Sequence, residues 1–238
     1  MRHRGKHAND DKIFATKWHT IFADAAEDLS YLLGRNYGLK SALALVGNKY
    51  QLNSRQQRAL SLITAPSTHI ISRKAKQVSA ATLQNKNILI DGYNLLISVE
   101  AALSGGYVFV SQDGCYRDIA SVHGTYKRVE ETAAAIGLID KYIKKLGVKH
   151  TQWYFDAPVS NSGKLKTFLY EYTMANNCHW DIDLVMNPDT TLVQANQITV
   201  SCDSWIVDEV DAYFDLAGHI IKELPQANVL NFFVPLRD

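Results

Sequence analysis

Three aspartates directly follow short apolar runs of the chain. The runs read Ile-Leu-Ile-Asp91, Trp-Tyr-Phe-Asp156 and Thr-Val-Ser-Cys-Asp203. Each run is typical of a buried β-strand, and parallel sheets bind ligands at the carboxyl ends of their strands. Carboxylates that meet there repel one another unless a cation neutralises them, and oxygen ligands without a His or Cys cluster favour Mg²⁺ or Mn²⁺. We therefore expect Asp91, Asp156 and Asp203 to bind such an ion, although a single Asp also ends strands simply as a turn former.

Further polar residues near these strand ends are candidates for the same site. Asn94, three residues after Asp91, either orients a water or phosphate at a catalytic centre or caps a helix. Asp208, five residues after Asp203, is expected either as a further metal ligand or as a carboxylate that favours a helix N-terminus. Segment 113–118 either covers the site as a lid or forms a turn with a surface ion pair. The additional candidates are Glu100, Asp113, Arg117, Asp118 and Asp183.

The segment after Asp156 has the composition of a phosphate-binding turn. It reads Asp-Ala-Pro-Val-Ser-Asn-Ser-Gly-Lys and leads into a predicted helix, whose first backbone N–H groups can hold a phosphate. The segment is not a P-loop, because Pro158 stands where that motif needs its first glycine. The residues expected to bind phosphate are Ser160, Ser162, Gly163 and Lys164.

Charge is segregated along a chain of 238 residues whose net charge is only +1. Residues 1–87 hold 14 Lys and Arg against 5 Asp and Glu, a balance of +9, and the remainder carries −8. A basic segment attracts nucleic-acid phosphates through counterion release, although the same charges also serve simply as a solvated face. The predicted nucleic-acid contacts are Arg55, Arg58, Arg73, Lys74 and Lys76.

Hydrophobic periodicity divides the chain into a basic helical domain at 1–86 and an α/β domain at 87–238. Strands separated by long helices indicate a mostly parallel sheet covered on both faces, a Rossmann-like three-layer α/β/α arrangement. The predicted helices cover 12–33, 40–46, 54–63, 125–146, 163–174 and 208–224, with a basic linker at 73–76. The predicted strands cover 87–91, 151–156, 178–186, 197–203 and 228–234, with an inserted β-hairpin at about 105–118.

Two motifs resemble those of PIN-like nucleases, especially the NYN branch. Ile-Asp91-Gly-Tyr-Asn94-Leu-Leu resembles the opening strand of that family, and Val-Ser-Cys-Asp203-Ser-Trp-Ile-Val-Asp208 resembles its later strand. The resemblance implies a PIN-like fold and a metal-dependent nuclease that hydrolyses phosphodiester bonds, in RNA rather than DNA. The whole arrangement also resembles an uncharacterised prokaryotic family that pairs a short basic helical domain with a PIN-like domain.

Other functions remain open at this stage. A phosphatase of the haloacid-dehalogenase kind needs a second Asp two residues after the first. Tyr93 occupies that position, so the phosphatase function is disfavoured. A non-catalytic nucleic-acid-binding protein or a nucleotide-sensing module would keep the same fold with an idle acidic edge. No apolar run approaches the roughly 18 residues of a membrane span, and three dispersed cysteines favour a reducing cytoplasm over a disulfide framework.

Overall fold

A five-stranded parallel sheet forms the centre of the protein, for which a computed structural model describes residues 3–120 and 124–234. The strands are β1 (Asn87–Asp91), β2 (Tyr107–Val110), β3 (Tyr116–Asp118), β4 (His150–Asp156), β5 (Trp180–Val185), β6 (Thr199–Val200), β7 (Tyr213–Phe214) and β8 (Asn228–Leu230). The order in the central sheet is β5-β4-β1-β6-β7. All four pairings are parallel, so the predicted Rossmann-like α/β architecture is confirmed.

The strand order places a topological switch point beside β1. From β1 the chain builds β4 and β5 on one side and then crosses to build β6 and β7 on the other. Open parallel sheets bind ligands at such a point, outside the carboxyl ends of the strands. Asp91 stands opposite Tyr154 of β4, and Ile90 stands opposite Val200 of β6, so these strands end at one edge.

Helices pack on both faces of this sheet. Side chains of β1 alternate between the faces, with Ile88 and Ile90 in the larger apolar core and Leu89 in a smaller one. The helices are α1 (Asp10–Ile13), α2 (His19–Gly34), α3 (Leu39–Lys49), α4 (Ser54–Ile63), α5 (Ser67–Lys76), α6 (Gly92–Leu103), α7 (Thr132–Lys145), α8 (Ser162–Asn176), α9 (Pro188–Gln194), α10 (Ser204–Glu209) and α11 (Leu216–Ile221). Within residues 3–120 and 124–234, no helix is long and apolar enough to cross a bilayer.

The predicted hairpin forms a second, smaller sheet. Strands β2 and β3 pair antiparallel, and β8 adds to β2 in parallel instead of joining the central sheet as its last strand. Phe109 of β2 and Phe232 pack into the apolar core of the N-terminal helices, where the rings of Phe22 and Phe232 stack with centroids 4.4 Å apart. The N-terminal helices therefore share a core with the hairpin.

Several predicted elements are wrong in type or extent. The predicted linker 73–76 is the last turn of α5, and the predicted helix 208–224 is instead the end of α10, then β7, then α11. Asp203 caps α10 and Asp215 caps α11, each by accepting backbone N–H bonds, which places two short helices around an edge strand. Helix α7 begins at Thr132 rather than at 125, because Thr125 instead forms a parallel β-bridge with Ser160, shortly before α8.

Candidate functional site

A pocket of about 400 Å³ lies at the carboxyl edge of the sheet, at the switch point. The three predicted strand-end carboxylates, Asp91, Asp156 and Asp203, all line it. A fourth carboxylate, Asp189, joins them from the first turn of α9, which follows β5. In chain order, four successive strands of the central sheet thus each end in, or are soon followed by, an aspartate that lines the same pocket.

Asp91 is the most buried of the four carboxylates, at 8% exposed. Its Oδ2 accepts a hydrogen bond from Ser201 Oγ at 2.8 Å, and its Oδ1 accepts a longer one from Asn94 N at 3.4 Å. Burial raises the pKa of Asp91 to about 7. The Ser201 hydrogen bond opposes this rise, whereas the charges of Asp203 and Asp189 add to it.

Gly92 explains how Asp91 reaches this position. A Cβ atom on Gly92 would lie 2.4 Å from the ring of Phe155, so only glycine lets α6 begin against β4 at this point. Asp91, rather than Asn94, caps α6. Asn94 Oδ1 accepts from Cys202 N at 3.0 Å and so ties the start of α6 to the end of β6.

Ser201 links the two carboxylates on either side of the switch point. Its Oγ donates to Asp91 and accepts from Asp203 N at 3.0 Å. Asp203 Oδ1 accepts from Trp205 N at 2.9 Å and from Ile206 N at 3.2 Å, which caps α10. The carboxylates of Asp91 and Asp203 are therefore held by the backbone and by one hydroxyl.

Asp156 and Asp189 complete the acidic lining. Burial raises the pKa of Asp156. Burial also raises the pKa of Asp189, and the charges of Asp203 and Asp156 raise it further. Across residues 3–120 and 124–234, none of the four pocket carboxylates forms a salt bridge with Lys, Arg or His.

Two buried polar atoms of the pocket have no hydrogen-bond partner within the described chain. They are the hydroxyl of Tyr93, a residue only 7% exposed, and Oδ1 of Asp118. Burial and the charge of Asp156 raise the pKa of the Tyr93 hydroxyl to about 12, so it remains a donor at neutral pH. Asp118 Oδ2 accepts from Ser98 Oγ at 2.6 Å, and burial raises the pKa of Asp118. The pocket thus offers a hydroxyl and a carboxylate oxygen that an incoming ligand would satisfy.

The donor chemistry of the pocket matches that of a hard divalent cation. All its acidic ligands are oxygen donors, and their mutual repulsion would be relieved by positive charge. In the part of the chain that the structure describes, however, no three His, Cys, Asp or Glu side chains stand close enough to form a ready metal cluster. A cation would therefore bring these carboxylates closer together than they stand in this structure.

Asp208 and Asp113 lie outside the pocket, contrary to the roles predicted for them. Arg73 donates to Asp208 Oδ1 at 2.6 Å and to Asp113 Oδ2 at 2.8 Å, and Arg117 donates to the same Asp113 oxygen at 2.8 Å. Burial disfavours both charges, but the arginines outweigh it and hold the pKa of each carboxyl below its ordinary value. We call these four side chains the arginine network. Arg117 also borders the pocket, but its guanidinium is held by Asp113 and by the carbonyl of Cys202.

Two further candidates are also separated from the acidic pocket. Glu100 is fully buried and accepts from Tyr126 OH and Thr132 Oγ1, each at 2.6 Å, beside Arg4. Asp183 is exposed on β5 and accepts from Gln152 Nε2 at 3.1 Å. Glu100 faces the α6–α7 contact and Asp183 faces solvent, so neither is available as a ligand there.

The five predicted nucleic-acid contacts fall into two groups. Arg73 belongs to the arginine network, Arg55 forms a bidentate pair with the buried Asp10, and Lys76 donates to the carbonyl of Asp208. All three cations are occupied by partners within the protein: Arg73 and Lys76 bind the α/β part of the chain, whereas Arg55 binds within the N-terminal segment. Lys74 is exposed and Arg58 is partly exposed, so these two remain available to an external anion.

The predicted phosphate-binding residues lie at the start of α8, next to the pocket. Val159 lines the acidic pocket, whereas Lys164 lines a neighbouring cavity of about 410 Å³. Ser162 is buried and donates to the carbonyl of Ala157 at 3.3 Å, so its hydroxyl is turned away from a ligand. Ser160 and Gly163 are exposed at the same turn.

The sequence analysis missed Asp189, Tyr93 and Ser201. Asp189 follows an apolar run just as the other three aspartates do, but Asn187 and Pro188 intervene as the cap and first residue of α9. A search for acidic residues in the first helical turn after each strand would have found it. Tyr93 and Ser201 carry no comparable signal, because only the fold shows which way their hydroxyls point.

Comparison with known proteins places the chain in a family. Residues 80–219 match the family described as "Domain of unknown function (DUF5616)". The chain belongs to this family. All four pocket carboxylates lie within the matched residues, and the preceding residues 21–76 match a second family, described as "Protein of unknown function (DUF434)".

An archaeal relative spans both segments. The uncharacterized protein MJ0935 of Methanocaldococcus jannaschii is 32% identical over 202 residues, which cover 84% of this chain and 96% of the relative. No solved structure matches the chain. The expected membership of an uncharacterised prokaryotic family is therefore confirmed.

Proposed function

We propose that the acidic pocket binds Mg²⁺ or Mn²⁺ and that the protein hydrolyses phosphodiester bonds in single-stranded RNA, as a PIN-like nuclease. One observation carries this proposal. Four carboxylates from four successive strands line one pocket at the switch point, and no cationic side chain of the described residues neutralises them. The repulsion between these carboxylates destabilises the fold unless a bound ligand offsets it, and such an arrangement is typical of a functional site.

Each residue of the pocket has a distinct role in this proposal. Asp91 and Asp203 hold the cation from adjacent strands, and Asp156 and Asp189 complete its ligand shell or orient water. A bound divalent cation lowers the pKa of a water molecule and stabilises negative charge on phosphoryl oxygens. The Tyr93 hydroxyl, which has no hydrogen-bond partner among residues 3–120 and 124–234, donates a hydrogen bond to a phosphate oxygen.

Two other residues position these groups. Ser201 holds Asp91 through its hydroxyl, and Asn94 anchors the end of β6. Leu62 of α4 also lines the pocket. The N-terminal helices therefore border the place where the RNA strand would lie. RNA is favoured over DNA because of the resemblance to the NYN branch.

The direct test is cleavage of a labelled single-stranded RNA in Mn²⁺ by the wild type and by Asp203→Asn. We expect the variant to be at least about 100-fold slower, since even changes beside metal ligands often cost 10–100-fold. Asp181→Asn, which removes an exposed carboxylate of β5, is the matched control and should cleave at the wild-type rate. Equal rates for Asp203→Asn and the wild type would refute the proposal.

A second candidate function is non-catalytic binding of nucleic acid. The absence of a ready three-ligand cluster among residues 3–120 and 124–234 favours it. It predicts that the wild type binds RNA in Mn²⁺ without cleaving it, and that Asp203→Asn leaves the binding affinity unchanged.

A further inference from the structure

The cavity beside the acidic pocket is lined by three cations and no carboxylate. Lys127, Arg128 and Lys164 line it, together with Tyr126, Asn161 and Leu165. All three cationic side chains are exposed, and none forms a salt bridge within the described residues. The nearby carboxylates of Glu130 and Glu131 pair with His3 instead. The cavity therefore concentrates positive charge that the protein does not neutralise.

Backbone contacts join the two segments that carry these cations. Tyr126 N donates to the carbonyl of Ser160 at 3.1 Å, and Ser160 N donates to the carbonyl of Gly124 at 3.0 Å. Asn161 Nδ2 donates to the carbonyl of Tyr126 at 3.0 Å. The guanidinium of Arg128 lies 4.4 Å from the centroid of the Phe168 ring on α8. The extended segment before α7 is thus bound to the start of α8.

The start of α8 borders the same cavity through Asn161 and Lys164. Asn161 precedes the helix in the left-handed region at φ 69°, and its side chain makes no capping hydrogen bond. Among the described residues, the N–H groups of Gly163 and Lys164 meet no acceptor. Uncapped first-turn N–H groups beside three unpaired cations are suited to an anion with several oxygens.

The cavity and the acidic pocket are neighbours. Tyr93 lines the pocket and Tyr126 lines the cavity, and the centroids of their rings lie 5.4 Å apart. Val159 and Asn161, two residues apart, likewise belong one to each. A nucleic-acid strand whose phosphate lies in the acidic pocket would bring another phosphate of its backbone to the cavity.

We propose that Lys127, Arg128, Lys164 and the start of α8 bind one backbone phosphate of an RNA strand that places another phosphate in the acidic pocket. This inference rests on the proposed function for the choice of ligand. It assigns substrate positioning to the cavity and leaves the chemistry to the carboxylates.

The test measures binding of a labelled single-stranded RNA in EDTA, where no cleavage occurs, as a function of salt. For the double variant Lys127→Gln/Lys164→Gln we expect the slope of log affinity against log salt to become shallower by about 0.7, the value for one phosphate contact on a single strand. The same exponent predicts about eightfold weaker binding at 50 mM salt. Lys141→Gln removes an exposed cation of α7 and should change neither quantity.

The possible results separate this inference from the proposed function. A wild-type slope and affinity in the double variant would overturn the inference even if the RNA is cleaved, and so would an absence of RNA binding by the wild type. The expected change in slope supports the inference even if no cleavage is found, in which case only the nuclease proposal fails. Arg128→Lys keeps the charge and should retain the wild-type slope.

Discussion

The arginine network and the acidic pocket each hold one buried carboxylate, Asp113 and Asp91, among less buried ones, but their electrostatics are opposite. In the network, Arg73 and Arg117 surround Asp113 and Asp208 and lower the pKa of both carboxyls. In the pocket no cation of the described residues pairs with Asp91, and burial raises its pKa to about 7. Burial acts in the same direction in both regions, so the presence of a protein cation decides the outcome. The comparison separates carboxylates that hold the fold together from those left for a ligand.

The same comparison explains part of the charge segregation. Arg73 of α5 and Arg4 reach across to carboxylates of the α/β part of the chain, where they pair with Asp208 and Glu100. Some of the +9 excess of the N-terminal segment therefore neutralises the −8 of the remainder inside the protein. Among the described residues, no N-terminal cation pairs with a carboxylate of the acidic pocket.

The largest expected effect comes from breaking the arginine network. Arg73→Met should lower the free energy of unfolding by about 3–5 kcal/mol, because it removes a buried cation that pairs with both Asp113 and Asp208. Lys74→Met, on the exposed side of the same helix, should change it by less than about 0.5 kcal/mol. Urea unfolding measures both. A similarly small loss for Arg73→Met would mean that the network does not stabilise the fold.

Removing a charge from the acidic pocket should instead raise the free energy of unfolding. The pKa of Asp91 is about 7 in the folded chain and near its ordinary 3.8 in the unfolded chain, so its ionisation destabilises the fold as pH rises between these values. In a chelator, Asp91→Asn should therefore be more stable than the wild type at pH 8, by up to about 4 kcal/mol. The gain should vanish near pH 4.

Urea unfolding from pH 4 to pH 8 checks this prediction. Asp211→Asn serves as the control for losing one exposed carboxylate. A difference in stability between Asp91→Asn and the wild type that does not change with pH would contradict the account.

Removing the hydroxyl that donates to Asp91 should have a smaller effect on stability. Ser201 donates the hydrogen bond that opposes the rise in its pKa, so Ser201→Ala should move the pKa of Asp91 above 7 and cost about 1 kcal/mol of stability. Carbon NMR titration of the Asp91 carboxyl follows the pKa. Ser61→Ala also removes one hydroxyl hydrogen bond, far along the chain in α4, and should leave the Asp91 titration unchanged.

Local sequence determined the elements that carry the pocket. The apolar runs before Asp91, Asp156 and Asp203 predict their strands, and parallel pairing then brings the three carboxylates to one edge. The helix predicted at 54–63 likewise has the observed bounds of α4, which Asn53 caps.

Long-range packing decided what local patterns did not predict. Strand β7 has only two residues and exists because it pairs with β6, so the sequence around it is equally compatible with one long helix. Arg73 and Asp208 lie 135 positions apart, and no local rule pairs them. The sequence therefore assigned Arg73 and Asp208 to separate roles, as a nucleic-acid contact and as a metal ligand or helix-terminal carboxylate, and did not predict that they pair.

Thermal melting of the wild type and of Asp91→Asn during titration with Mn²⁺ tests the central claim, that the acidic pocket is built for a divalent cation. A cation that binds only the folded state should stabilise the wild type by about 2.7 kcal/mol at 100 times its Kd. The account predicts a rise in Tm with Mn²⁺ for the wild type and none for Asp91→Asn. No rise in the wild type, or equal rises in both proteins, would contradict it.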